Sequence, residues 1–146
     1  MAQTATRREP AKLSFGDGEV MVTPQDQDIF FLSAEKATEA CKNVIRQEER
    51  VARFTDGFLR PLAGWCEAHK DQISACYLVV PESTVLPVYV IGVSERYDFD
   101  LTKKLSELAF QFEDSGWSVH LSQIPRCDME QLCGFFNLDY ALQVHG

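Results

Sequence analysis

Apolar residues recur along this chain with more than one period, and each period predicts a different element. The clearest is helical. Leu101, Leu105, Leu108, Ala109 and Phe112 fall at offsets of 4, 7, 8 and 11, which lines one side of a helix over 101–114, and Ser115-Gly116 stops it. Upstream, Ala37, Cys41, Val44, Ile45, Val51 and Ala52 recur near the same spacing, with Ser33 as the expected N-cap and Glu35 in the first turn. The pattern pauses at Thr55-Asp56-Gly57 and resumes with Phe58, Leu59, Leu62 and Cys66, so a pair of helices over 34–54 and 58–70, or one kinked rod over 34–70, is predicted.

Other stretches alternate or are apolar throughout. S-A-C-Y-L-V-V-P and V-L-P-V-Y-V-I-G-V-S are rich in β-formers on both faces, which places them mid-sheet, and the short P-E-S-T-V-L-P link predicts an antiparallel hairpin over 75–94. Trp117, Val119 and Leu121 alternate with Ser118, His120 and Ser122, which predicts a strand with one wet face. Strand 88–94, helix 101–114 and this strand have the lengths of a right-handed βαβ crossover over 88–122. Asp17-Gly18 suggests a small hairpin, and D-I-F-F-L (28–32) is either a short strand or an apolar lead-in to the next helix. Asp128, with Gln131 at the box position, starts a short helix over 129–136, and the apolar C-terminus suits a last strand. These elements predict an α+β (or small α/β) fold: a two-layer sandwich with a mixed sheet and the 34–70 helices packed on it. Residues 1–12 read as a flexible tail and 13–146 as a single globular domain.

Composition narrows the class. No apolar run approaches the roughly 18 residues of a membrane span, and the charged N-terminus lacks the apolar stretch of a secretory signal. Five cysteines, an odd number without a C-x-x-C pair, make a poor disulfide framework and a poor zinc site, so a reducing cytoplasm is expected. A net charge of −8 disfavours nucleic acid and anionic lipid as partners.

Against that acidic average, Lys42, Arg46, Arg50 and Arg53 are spaced as a basic row on the first helix and are the candidate partner-binding residues; Glu39 and Glu49 are placed to pair with Lys42 and Arg53. Cys127 precedes a helix start, which can lower a thiol pKa, and His120 stands on the preceding strand as a conceivable base. Cys66-x-x-His69 spaces two potential metal ligands one helical turn apart and Cys76 is near in sequence, but a fourth ligand is missing.

Asp98 and Asp100 raise the sharpest choice. On an extended segment their carboxylates point the same way and can converge on Mg²⁺. The stretch I-G-V-S-E-R-Y-D-F-D-L resembles the strand-borne D-x-D of nucleotidyltransferases, which implies a Mg²⁺-dependent transfer of a nucleotidyl group held by this pair. It departs from that pattern in three ways. The turn is Gly92-Val93-Ser94, the pair leads straight into a helix, and the later strand W-S-V-H-L-S carries no carboxylate. The other reading is structural: Asp100 as N-cap, Asp98 near the positive end of the helix dipole, and Tyr97 and Phe99 buried against the core. P-loop, dinucleotide and hydrolase-elbow motifs are absent.

The sequence therefore favours a non-catalytic cytoplasmic protein-binding domain, of accessory, adaptor, chaperone-like or inhibitor type, with no cofactor and with a protein partner or self-association through an open sheet edge. A reduced nucleotidyltransferase-like enzyme using Asp98 and Asp100, and an acidic mimic of nucleic acid filling a basic groove, are the alternatives.

Overall fold

The computed structural model describes residues 10–15, 20–39, 46–81 and 84–146. Six strands form one mixed sheet in the order β2-β1-β6-β3-β4-β5. β1 (Ala11–Phe15) and β2 (Val20–Val22) pair antiparallel, as the Asp17-Gly18 signal suggests, although that turn lies outside the described residues. β1 opens at Ala11, inside the stretch read as tail. β3 (Ile73–Val79) and β4 (Leu86–Gly92) form the expected antiparallel hairpin, and β5 (Val119–Ile124) joins β4 in parallel across α4 (Phe99–Asp114), which completes the βαβ unit. The C-terminal β6 (Ala141–His145) inserts between β1 and β3, parallel to the first and antiparallel to the second.

Helices gather on one face of this sheet. α1 (Gln27–Glu39), α2 (Arg50–Phe54), α3 (Arg60–Ala68) and α4 send Phe30, Phe54, Leu62, Cys66 and the Leu101–Phe112 stripe into one core with Cys76, Leu78, Val88 and Val90 of the sheet. Each fully buried Leu or Phe here contributes about 1.5–3 kcal/mol of transfer free energy. The opposite face is covered more thinly. There Tyr77, Ile91 and Ile124 pack under Leu132, Phe136 and Leu138, which come from the chain between β5 and β6, including the short α5 (Met129–Leu132). Asp128 caps α5 in a full capping box with Gln131, as its spacing suggests, but the helix ends at Leu132 and not at 136.

The first helical region departs from its sequence pattern. The segment 28–32 is neither strand nor lead-in; it lies inside α1, whose start is set by Thr23-Pro24, with the Thr23 hydroxyl donating to Asp26 Oδ2 at 2.8 Å. Ser33 is consequently no N-cap. It is fully buried in mid-helix, and its Oγ has no hydrogen-bond partner among the described residues. Ser33→Ala should therefore leave stability unchanged or raise it by up to about 1 kcal/mol, measured by urea unfolding, where a capping serine would lose about that much.

The helix expected over 34–54 is also interrupted, since 47–49 form a 3₁₀ turn ahead of α2. By contrast, the pause at 55–57 is no break. Thr55–Leu59 is a π-helical turn that joins α2 to α3 and keeps Phe54, Phe58, Leu59 and Leu62 all buried.

α4 ends by a left-handed residue. Gly116 has φ 99°, its N–H donates to Glu113 O at 3.0 Å, and the Trp117 N–H donates to Phe112 O at 2.9 Å. Trp117 then packs on Phe58, with ring centroids 5.5 Å apart. Gly116→Ala should cost about 1–2 kcal/mol in urea unfolding, because a Cβ is disfavoured at that φ.

Candidate functional site

The two aspartates sit where β4 hands over to α4, and the backbone uses them. Asp98, not Asp100, is the N-cap: its Oδ1 accepts from the N–H groups of Asp100 at 3.0 Å and Leu101 at 3.1 Å. Gln123 of β5 clamps the same residue. The Asp98 N–H donates to Gln123 Oε1 at 2.7 Å, and Gln123 Nε2 donates to Asp98 O at 2.7 Å and to Thr102 Oγ1 at 2.9 Å. Gln72, just before β3, donates to Oδ2 of Asp98 at 3.3 Å and of Asp100 at 3.1 Å. Lys104 reaches back one turn to Asp100 Oδ2 at 3.2 Å and donates to Gln72 Oε1 at 2.6 Å. The Lys104 and Gln72 hydrogen bonds hold the Asp100 carboxyl below its usual range.

This arrangement fixes the entry of a helix. A divalent cation at the pair would have to displace both Lys104 and Gln72, and among the described residues no three His, Cys, Asp or Glu groups are placed to hold a metal. Gln72, Gln123 and Lys104 carried no sequence signal, because neither their spacing nor their type marks a cap.

Tyr97 and Phe99 do not bury. They are 46% and 80% exposed and pack edge to face with each other, 5.0 Å between centroids. The helix begins at Phe99, so its side chain leaves the extended alternation that would have aimed it inward.

The cysteine and histidine candidates are held apart by the fold. Cys66 points into the core against Cys76, and a hydrogen bond between the two thiols, together with burial, pushes the Cys76 thiol well above its usual value. His69 instead stacks on Trp65, with its Nδ1 2.8 Å from Trp65 O. Cys127 packs beside the thinner core; desolvation and the Asp128 charge raise its pKa, the reverse of activation. His120 stands exposed opposite Pro87, and no hydrogen bond joins it to Cys127 among the described residues. Iodoacetamide at pH 8 with peptide mapping should label exposed Cys133 first, Cys127 more slowly, and Cys66 and Cys76 only on unfolding.

The basic residues do not share one helix. Lys42 lies outside the described residues, Arg46 precedes the 3₁₀ turn with Glu48 4.0 Å away, and Arg50 and Arg53 belong to α2. Arg50 meets Glu39 of α1 at 3.7 Å, so this arginine ties two helices together; the i,i+3 pair expected for Glu39 involves Lys42 and lies outside the described residues.

What stands open is the β5 edge. Leu86 N–H donates to Ser118 O at 2.8 Å, and in the parallel register that follows, Val119, Leu121 and Gln123 turn their backbone groups away from β4. The Val119 N–H is taken by Glu113 at 3.3 Å. Beside the edge lies a hollow of about 360 Å³ walled by the small side chains Thr102, Ser106 and Ala109 of α4. Phe99 and Phe110, 78% exposed, stand along the same helix. A larger cleft of about 970 Å³, lined by Lys36, Tyr89, His120 and Tyr140 among others, opens beside Glu39 and Pro81, next to chain outside the described residues.

No family model, curated protein or solved structure matches this chain. No helix among the described residues is long and apolar enough to cross a membrane.

Proposed function

We propose that this chain is a non-catalytic, cytoplasmic protein-binding domain that engages its partner along β5 and the adjoining flank of α4. The observation that carries this reading is the composition of the edge. From Val119 to Ile124 it holds no Lys, Arg, Asp, Glu or Pro, although the chain is acidic and sheets ordinarily guard an open edge with such residues. Tyr97 lines the hollow beside it and packs on exposed Phe99, and exposed Phe110 stands further along α4; exposed apolar groups of this kind mark interaction sites. An added strand would satisfy the outward backbone groups of Leu121 and Gln123 and take over the Val119 N–H from Glu113, with the hollow beside α4 taking its side chains. The aspartates at the start of α4 are engaged by Gln72, Lys104 and backbone amides, which supports leaving chemistry out of the reading. Two apposed free thiols in the core suit a reducing compartment.

A photo-crosslinking amino acid placed at Phe110 or His120 in cells should yield a discrete protein adduct. The same group at Glu67 on α3 should yield none. Equal or absent adducts at all three positions would overturn the assignment.

A further inference from the structure

Resting on that reading, we infer that the partner covering the β5 edge is a second copy of this chain, joined antiparallel about a two-fold axis near Leu121. An edge strand can pair with itself when its outward residues are self-compatible. Here they are Val119, Leu121 and Gln123, so the axis sets Leu121 against its own copy and Val119 against Gln123, without a like-charge contact.

The same operation brings the two α4 helices side by side and antiparallel on one face of a continuous twelve-strand sheet, and this is where charge decides the occupant. In residues 99–106 of α4 Lys104 is taken up by Asp100 and Gln72, which leaves Lys103 as the outward base, whereas residues 107–114 carry Glu107 and Asp114, with Glu113 turned to the Val119 N–H, and no base. Antiparallel packing sets each basic half against an acidic half and opposes the two helix dipoles head to tail. Thr102, Ser106 and Ala109 are small enough to let the helices approach. Phe99 and Phe110, at the two ends of the exposed side, are each carried toward the opposite end of the other helix. At the far edge of the sheet β2 has only three residues, a length that discourages pairing there.

Multi-angle light scattering from 5 to 200 µM tests this. A mass near twice the 16.5 kDa chain is expected at the upper end, and Phe99→Asp with Phe110→Asp, both at exposed positions, should return it to the single-chain mass without loss of helical circular dichroism. Lys103→Glu should weaken the dimer tenfold or more. Hydrogen exchange at the Leu121 amide should slow with concentration in the wild type alone. A single-chain mass at 200 µM with rapid Leu121 exchange would overturn the second copy; if crosslinks from Phe110 still capture another protein, the broader protein-binding reading survives. A dimer indifferent to Phe99, Phe110 and Lys103 would overturn the proposed geometry.

Discussion

Replacing Phe58 by alanine should remove about 3–5 kcal/mol of stability, the largest loss expected from any single truncation in this chain. Phe58 is fully buried in the π-helical turn between α2 and α3. Its ring lies 6.1 Å from Phe54, 4.7 Å from Phe112 and 5.5 Å from Trp117, and Phe54 in turn lies 5.9 Å from Phe30. One side chain thus joins the α2–α3 rod, α4 and the chain entering β5, and α1 is reached through Phe54. Its neighbours are large rings anchored in different elements, so they cannot collapse into the space, and the cavity term adds to the lost transfer energy. Against a typical total of about 5–15 kcal/mol, the variant should show a much lower urea midpoint or no cooperative transition. A loss below about 1 kcal/mol would mean that the helical layer does not converge on this ring.

The second large effect concerns Asp98. Asp98→Ala should cost about 1–2 kcal/mol in urea unfolding, because it orphans the amides of Asp100 and Leu101 and one Gln72 hydrogen bond. Asp98→Asn should fall within a few tenths of wild type, since asparagine caps a helix about as well as aspartate. A metal-ligand role orders these variants differently: alanine and asparagine would both abolish cation binding, and stability would not separate them. Equal losses for the two variants would contradict the capping role.

How much of this was legible from the residues depends on the element. The 101–114 stripe follows from its period, because it buries one face against the sheet, and the 75–94 hairpin follows from strands apolar on both faces joined by a short link, because both faces of β3 and β4 are covered. The region 28–54 misled for a physical reason. Ser33 has the right chemistry for a cap, but Thr23-Pro24 starts the helix ten residues earlier, and the serine is carried into the core where its hydroxyl only costs. At 55–57 a glycine implied either a break or a kink, and a π turn absorbs the irregularity so that the helix continues, as the kinked-rod alternative has it at this point. At the candidate site, the structural use of the aspartates was readable from their place before a helix, but the two-residue shift of the cap was not, because it is decided by Gln72 and Gln123, distant in sequence. The β5 edge could be foreseen only as a generic open edge, since which strand ends the sheet depends on β6 returning to fill its middle.

The non-catalytic half of the binding reading stands on Asp98 and Asp100 being committed to the start of α4. Calorimetric titration of the purified chain with an equimolar mixture of the four nucleoside triphosphates, in 5 mM Mg²⁺, tests that commitment most directly. The account predicts no saturable heat for the wild type, and the same for the paired variant Asp98→Asn with Asp100→Asn. Saturable, Mg²⁺-dependent binding that the paired variant loses while still folded would contradict it.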